Sequence, residues 1–252
     1  MQLLNLQDKQ ALLALLEKDK KNTLQFYEYL PYLSNEDDRF GFYGRYVNGE
    51  LVSAVYFSPF NMGFTLVDDC YLSEVNDLLG VLPSMYIYGP KELLEKLDRF
   101  PGRRPHPYIY GSLPIEDEML DQPTNVEKAK KDDIPAIREF YDGKDIMIEV
   151  PELIESIVEK GNIFIVKDED EIVSAALSHS ETDEYALIGG VYTEEGYEGN
   201  GYAYECVSAL TQHLHDQDIT PYLFYEARLE HLGYFYSKFS FEFECDYLML
   251  YD

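Results

Sequence analysis

The spacing of apolar and polar positions changes along the first half of the chain. Apolar residues within 3–33 recur at helical intervals, whereas alternating aromatic residues from Phe40 onward indicate strands. Asn48-Gly49 stands between two such runs and is a strong signal for a hairpin turn. The predicted elements are one or two helices within 3–33, strands over 40–47, 51–57 and 64–67, a helix within 73–82, a strand over 85–88, a helix over 91–99 and a short strand over 108–113.

Prolines interrupt this pattern in the middle of the chain. Five prolines fall within residues 101–123. Proline lacks the backbone N–H donor, so we expect neither a long helix nor a central strand there. We therefore predict a domain boundary at about 120–125, which gives an N-terminal domain over 1–122 and a C-terminal domain over 123–252.

The pattern of the second half alternates between helical and strand periods. The predicted elements are a strand over 125–129, helices over 132–141 and 151–159, strands over 163–166, 172–180 and 185–193, a helix over 203–214, a strand over 222–225, a helix over 230–239 and a last strand over 241–251. A short repeat connects the two halves. The pentapeptide Glu-Leu-Val-Ser-Ala at 50–54 recurs as Glu-Ile-Val-Ser-Ala at 171–175, each on the return strand of a predicted hairpin. The match indicates either a duplication or a shared strand composition.

A glycine-rich segment between a strand and a helix is the main candidate for chemistry. The apolar strand ends at Thr193, and Gly199-Asn200-Gly201 precedes a helix. Glycines let the backbone turn tightly and approach a ligand, and helix N-termini bind phosphate. A P-loop is excluded because no Gly-Lys-Ser/Thr follows, and a dinucleotide-binding turn fits poorly because no βαβ continuation follows. An ordinary glycine-rich turn remains the alternative.

The order of predicted elements in the second half resembles that of the GNAT N-acetyltransferase family. The segment 198–203, Glu-Gly-Asn-Gly-Tyr-Ala, resembles that family's pyrophosphate loop, Arg/Gln-x-x-Gly-x-Gly/Ala. The preceding 191–193 is similar to the end of its splayed fourth strand. The segment 236–241 is similar to the Tyr-x-x-x-Gly-Phe that closes its last motif. The resemblance covers about half of the chain.

The resemblance implies a fold, a ligand and a reaction. The fold is α+β, an α/β sandwich with a mixed, mostly antiparallel twisted sheet flanked by helices. If the repeated pentapeptide reflects a duplication, the first half is a degenerate tandem copy of this fold. The ligand is acetyl-CoA, and an acceptor amine attacks its thioester directly. The residues implied to bind it are Gly190, Val191, Tyr192, Thr193, Glu198, Gly199, Asn200, Gly201, Tyr202 and Ala203.

The same resemblance implies roles for individual side chains. Tyr236 matches the tyrosine that protonates the leaving thiolate in many members. The candidates for the general base are Glu149, Glu181 and Glu184, and a chain of water molecules is the alternative. Glu198 stands where the family usually has Arg or Gln. An inactive acyl-CoA-binding or regulatory module, or a protein-interaction module, therefore remains a second hypothesis.

Composition restricts the partners. The chain of 252 residues has a net charge of −28, and 29 of its 48 acidic residues lie in 123–252. This charge repels phosphate backbones. It is either an ordinary solubility charge spread over the surface or an acidic cleft that favours a small amine or a basic peptide as the acceptor. The three cysteines form no CxxC pair, and no metal-binding cluster is evident.

The sequence also carries expectations about location and assembly. No apolar run reaches the 18 residues of a membrane span, and the N-terminal stretch has the pattern of an amphipathic helix and not of a signal peptide. We therefore expect a cytoplasmic protein. The long aromatic last strand offers an edge through which a homodimer could form.

Overall fold

The computed structural model describes residues 1–34, 37–82, 84–97, 103–114, 125–144, 151–160 and 162–251. The chain divides into two compact units, and each of them combines separate segments. The first unit contains Met1–Tyr110, Phe224–Leu229 and Glu244–Asp252. The second unit contains Gly111–Leu223 and Glu230–Phe243.

The first unit is built around a mixed sheet. Its elements up to residue 112 are β1 (Gln2–Leu3), α1 (Lys9–Leu16), α2 (Leu24–Tyr29), β2 (Gly41–Val47), β3 (Glu50–Phe57), β4 (Asn61–Leu66), α3 (Leu72–Leu79), β5 (Tyr86–Pro90), α4 (Lys91–Leu94) and β6 (Arg104–Ser112). Strands β1 to β4 pair as antiparallel neighbours, and β4 pairs with β5 in parallel. Every residue of β3 after Glu50 is buried. Such a continuous apolar run is typical of a strand that is covered on both faces.

The second unit repeats this arrangement. The remaining elements are β7 (Val126–Lys128), α5 (Ile134–Tyr141), α6 (Pro151–Lys160), β8 (Ile163–Asp168), β9 (Glu171–His179), β10 (Tyr185–Thr193), α7 (Tyr202–His215), β11 (Thr220–Glu226), α8 (Glu230–Tyr236) and β12 (Glu242–Tyr251). Strands β7 to β10 pair as antiparallel neighbours, and β10 pairs with β11 in parallel. The part of β12 from Glu244 onward belongs to the first unit, where it pairs antiparallel with β5.

Helices cover both faces of the sheet in the second unit. Helices α5 and α6 pack on β9, and α7 packs on β8, β9 and β10. Residues 172–178 of β9 are all buried, because α5 and α6 cover the Ala175 and Leu177 face while Cys206 of α7 lies near Ser174 on the other face. The predicted α+β class, a mixed and mostly antiparallel sheet flanked by helices, is confirmed.

The first hairpin of each unit has the same irregular register. In the hairpin of β2 and β3, the pairing shifts between Arg45, opposite Ser53, and the next pair, Tyr46 with Leu51. In the hairpin of β8 and β9, it shifts between the pair Val166–Ser174 and the pair Lys167–Ile172. The repeated pentapeptide therefore occupies equivalent positions, since each copy begins its strand and spans the same irregularity.

Several predicted bounds differ from the structure. The helix predicted over 91–99 ends at Leu94, and strands β6 and β4 are longer than predicted. Strand β6 runs from Arg104 through Pro105 and Pro107, where the proline density predicted no long strand. The two prolines are two residues apart, so their missing N–H groups fall on one side of the strand, and the Pro107 carbonyl still accepts from Ala227 N at 2.9 Å. Strand β4 begins at Asn61, three residues before the predicted start.

The described helices are short. Helix α7 is the longest of them, with 14 residues. At about 1.5 Å per residue it spans roughly 21 Å, less than the approximately 30 Å of a bilayer's hydrocarbon core. No described helix is long and apolar enough to cross a membrane.

Candidate functional site

Strand β10 contains a bulge in its second half. Its pairing with β9 is regular as far as Gly189, which lies opposite Leu177, and resumes at Tyr192, which lies opposite Ala175. Gly190 and Val191 together therefore lie opposite a single residue of β9, the one between Leu177 and Ala175. Gly190 has a φ of 57°, in the left-handed region that favours glycine. A bulge of this kind redirects backbone groups away from the regular ladder.

On its other edge, β10 pairs with β11 along its first residues. The parallel pairing between β10 and β11 covers Tyr185–Leu187 and Thr220–Tyr222 in the described register. The bulge lies three residues beyond the end of this pairing. Its backbone N–H and C=O groups are therefore placed to pair with an extended, amide-containing ligand, as they would with a strand.

A glycine-rich loop connects β10 to α7. Its glycines Gly196, Gly199 and Gly201 all have left-handed φ angles, of 93°, 78° and 87°. The loop is held by its own polar side chains. Asn200 Nδ2 donates to Tyr197 O at 2.9 Å, and Tyr197 Oη donates to Asp168 Oδ2 at 2.7 Å. The left-handed glycines and these bonds together give the loop a defined path into the helix.

The N-terminus of α7 has no side-chain cap. Gly201 occupies the N-cap position, and no side chain of the cap accepts a hydrogen bond from the first turn. A methyl group added at Gly199 or Gly201 would meet nothing within 4 Å, so the space around the loop is open. The first-turn N–H groups of a helix and its positive dipole end form an anion site. This place suits a phosphate or pyrophosphate.

The charges around the loop are mostly negative. Glu195 and Glu198 are exposed, whereas Glu194 is paired with Lys144. The Lys144 ammonium also lies over the rings of Phe140 and Tyr192, 4.1 and 4.8 Å from their centroids. Lys144 therefore neutralises the carboxylate that directly follows β10. The Glu198 side chain is exposed to solvent.

A buried tyrosine contacts the bulge from the helical layer. Tyr141, the last residue of α5, donates its hydroxyl hydrogen to Gly190 O at 2.7 Å. Burial raises the pKa of the Tyr141 phenol well above its usual value, so the group is a neutral donor. Gly190 is closely packed as well. An added Cβ would lie 2.9 Å from Leu177 Cδ2 and 3.0 Å from Tyr141 Oη.

Comparison with known proteins agrees with this geometry. A sequence model of the GNAT acetyltransferase family matches residues 118–250, more than half of the chain. The chain belongs to this family. The resemblance predicted for the C-terminal half is thus confirmed. No curated protein matches the sequence.

Solved structures share the GNAT fold with this chain. A Drosophila protein superimposes with a TM-score of 0.69 at 11% identity, covering 100% of this chain and 98% of its own. A GCN5-related N-acetyltransferase-like protein from Streptococcus suis gives a TM-score of 0.60 at 15% identity, covering 98% and 99%. A GNAT-family acetyltransferase from Colwellia psychrerythraea gives 0.58 at 13%, covering 94% and 96%. At these identities the likeness concerns the fold alone.

The structure places the predicted ligand-binding residues of this GNAT chain on three consecutive elements. Residues 190–193 form the bulged end of β10, residues 198–201 lie in the loop, and residues 202–203 begin α7. Tyr236 ends α8, where its side chain is buried and its ring centroid lies 5.0 Å from that of Phe235.

The predicted general bases lie elsewhere. Glu181 and Glu184 precede β10, and the six residue-to-residue steps from Tyr185 to Val191 span roughly 20 Å of strand. The Glu181 carboxylate accepts hydrogen bonds from Ser178 and Asn162, and Glu184 is exposed. Glu149 lies outside the described residues. The identity of the base stays a prediction.

Two residues that contact this GNAT site are absent from the sequence predictions. Tyr141 falls within the predicted helix over 132–141, and Lys144 lies between the two helices predicted over 132–141 and 151–159. Neither belongs to a motif, because each acts through a contact with a residue about 50 positions further along the chain. One signal was available, the pair of glycines inside an apolar strand, which indicates a bulge but not what holds it.

Proposed function

We propose that this GNAT protein transfers an acetyl group from acetyl-CoA to a primary amine of a small molecule or basic peptide. The observation that carries the proposal is the uncapped N-terminus of α7, which follows a bulged strand and a loop of left-handed glycines. A pyrophosphate matches the first of these features, and an extended arm with amide groups matches the second. Coenzyme A contains both.

The residues present fit this ligand. The N–H groups from Gly199 to Ala203 would hold the pyrophosphate, since glycine allows close approach and no side chain occupies the helix end. The backbone from Gly190 to Thr193 would pair with the pantetheine arm. Glu198 is exposed, so its carboxylate is able to turn to solvent. Bound acetyl-CoA supplies an activated acyl group as its thioester.

The chain's own groups would then support direct transfer. The nitrogen of a neutral acceptor amine attacks the thioester carbonyl carbon, a C–N bond forms and the C–S bond breaks. A backbone N–H at the bulge would stabilise the negative charge that develops on the carbonyl oxygen. The amine proton passes to a base or to water, and the Tyr236 hydroxyl would donate a proton to the leaving thiolate.

The charge of the protein supports a cationic acceptor. The net charge is −28, and within the second half 29 acidic residues stand against 9 basic ones. Such a surface attracts protonated amines to the protein and repels anionic acceptors. The amine must lose its proton before it attacks, which is why a base or a path for water is required.

We also propose that the first unit is a second copy of the fold without the ligand site. The support lies in the shared hairpin register and in the shared order of antiparallel and parallel pairings. In the first unit, β3 and β4 pair regularly from Ser53 to Phe57, with no bulge. The carboxylate of Asp68 accepts from Cys70 N at 2.8 Å and caps the helical turn that precedes α3. The Asp68 carboxylate thus occupies the position that a bound anion would take at this helical turn.

The second candidate function is that of an inactive acyl-CoA-binding or regulatory module. The observation that favours it is Glu198, which stands in the position usually held by Arg or Gln. A cation there would attract the pyrophosphate, whereas a carboxylate does not. Activity toward amines distinguishes the two candidates, since both require binding of an acyl-CoA.

Thermal unfolding in the presence of acetyl-CoA, CoA or ATP is the first test. A ligand that binds only the folded state, at about 100 times its Kd, stabilises that state by roughly 2.7 kcal/mol. We expect a higher melting temperature with acetyl-CoA and with CoA, but not with ATP. Release of free thiol in the presence of a panel of amines then tests transfer. Absence of any shift at millimolar acetyl-CoA would refute both candidate functions.

A further inference from the structure

The peptide between Gly190 and Val191 is held by a side chain of α5. Tyr141 Oη donates to the Gly190 carbonyl at 2.7 Å. The Tyr141 side chain belongs to the apolar core that α5 and α6 form against β9, together with Ile137 and Leu177. The carbonyl therefore points toward the helical layer, where the phenol is its hydrogen-bond donor.

The planarity of the peptide extends this constraint to the next residue. In a trans peptide, the C=O of one residue and the N–H of the following residue point in opposite directions. Fixing the Gly190 carbonyl toward α5 thus turns the Val191 N–H away from α5. Val191 lies within the bulge, where the register of the ladder with β9 is interrupted.

The bulge and the tyrosine are matched in shape as well as in hydrogen bonding. Gly190 has a left-handed φ of 57°, and a side chain there would collide with both Leu177 and the Tyr141 hydroxyl. In the first unit, the strands β3 and β4 pair without an extra residue, and the helical turn that follows β4 is capped by the Asp68 side chain. The bulge accompanies the anion site.

We propose that Tyr141 is a positioning residue for the acyl group. Its hydroxyl holds the Gly190–Val191 peptide so that the Val191 N–H is aimed at the thioester carbonyl or the adjoining pantetheine arm. This inference rests on the proposed binding of acetyl-CoA. It adds to that function the element of the fold that orients the donor. Tyr141 itself, enclosed in the core, does not touch the reacting atoms.

The test compares two ligands and two variants by isothermal titration. The ligands are acetyl-CoA and the phospho-ADP fragment of coenzyme A, which keeps the pyrophosphate but lacks the pantetheine arm. Tyr141→Phe removes only the hydroxyl. Tyr185→Phe is the matched control, because Tyr185 begins the same strand at the end far from the bulge.

We expect Tyr141→Phe to raise the Kd of acetyl-CoA by about tenfold, the equivalent of one lost hydrogen bond, and to leave the Kd of the fragment within about twofold. Tyr185→Phe should change neither value. A variant that is merely less stable would bind both ligands alike once folded. Equal losses for both ligands, or no loss for acetyl-CoA, would therefore overturn the inference.

A second variant keeps the test decisive if Tyr141→Phe does not fold. Gly190→Ala places a methyl group against the same hydroxyl and should also weaken binding of acetyl-CoA more than that of the fragment. If Gly190→Ala keeps the wild-type ratio between the Kd of acetyl-CoA and the Kd of the fragment, the inference is contradicted. If the wild-type protein binds neither ligand, the proposed function itself fails. If it binds both and the variants keep its ratio of affinities, only the role of Tyr141 fails.

Discussion

Ser53 and Ser174 occupy the same register position in two equivalent hairpins, yet within the described part of the chain only the Ser174 hydroxyl has partners. Ser174 Oγ donates to Tyr192 O at 3.1 Å and lies 2.9 Å from Thr193 Oγ1. Ser53 Oγ is buried and has no hydrogen-bond partner among the described residues. The difference arises on the next strand, since Thr193 lies opposite Ser174 whereas Leu66 lies opposite Ser53.

This contrast leads to a prediction about stoichiometry. We expect one molecule of acetyl-CoA to bind per chain, because the first unit lacks the bulge and its corresponding helical turn is capped by Asp68. Isothermal titration of the full chain measures the number directly. Asp68→Ala should lower stability by about 1 kcal/mol through the lost cap and leave the stoichiometry unchanged. Two equivalents bound by the wild-type chain would contradict the proposed loss of the site.

The left-handed glycine at the start of α7 permits a matched comparison. Gly201→Ala and Gly49→Ala each force alanine into a φ near 87°, and in neither case does the new Cβ meet an atom within 4 Å. Each variant should lose about 1 kcal/mol of stability through backbone strain. Only Gly201→Ala should weaken acetyl-CoA binding by severalfold, because relief of strain there moves the N–H groups of the anion site. Chemical denaturation and titration check the two effects. Equal affinity of the two variants for acetyl-CoA would mean that the loop is not part of the binding site.

The role assigned to Tyr236 is testable within α8. Tyr236→Phe should reduce kcat by about a hundredfold, as is typical for loss of a general acid, while the Kd of acetyl-CoA changes little. Tyr234→Phe is the control, since Tyr234 lies in the same helix with 72% of its surface exposed. Steady-state kinetics with an accepted amine, combined with titration, separates the effects. Unchanged kcat in Tyr236→Phe would show that another group protonates the thiolate.

Histidine burial predicts a pH dependence of stability in the second unit. Burial lowers the pKa of His215 from its ordinary 6.5, while its hydrogen bond to the Leu113 carbonyl opposes that change. The unfolded chain therefore takes up this proton at higher pH than the folded protein does. This contribution to stability is present above pH 6.5 and is lost as the pH falls through the folded-state pKa.

His215→Gln should accordingly flatten the decline in unfolding free energy between about pH 7 and pH 5. Urea denaturation at a series of pH values measures this slope. His231→Gln, at an exposed position of α8, is the control and should retain the wild-type slope. A slope that is the same in all three proteins would mean that protonation of His215 is not linked to unfolding.

The sequence alone determined most of the elements and the family. Hydrophobic periodicity located the strands β8 to β10 and the helices around them within a few residues, because helix and strand spacings are local properties of the chain. The glycines at 199 and 201 indicated the loop and the start of α7, since their conformational freedom is intrinsic. The repeated pentapeptide likewise lies at equivalent positions of two hairpins.

Only the tertiary structure decided how distant residues meet. Tyr141 reaches Gly190 across 49 positions, and the end of β12 pairs with β5 in the first unit, far from it in sequence. Strand β6 continues through two prolines because the hydrogen bond at Pro107 uses its carbonyl oxygen, which accepts from Ala227 N, and does not require the missing N–H. Periodicity predicts which face of an element is buried. It does not predict which partner covers that face, since the partner depends on packing and hydrogen bonding between remote segments.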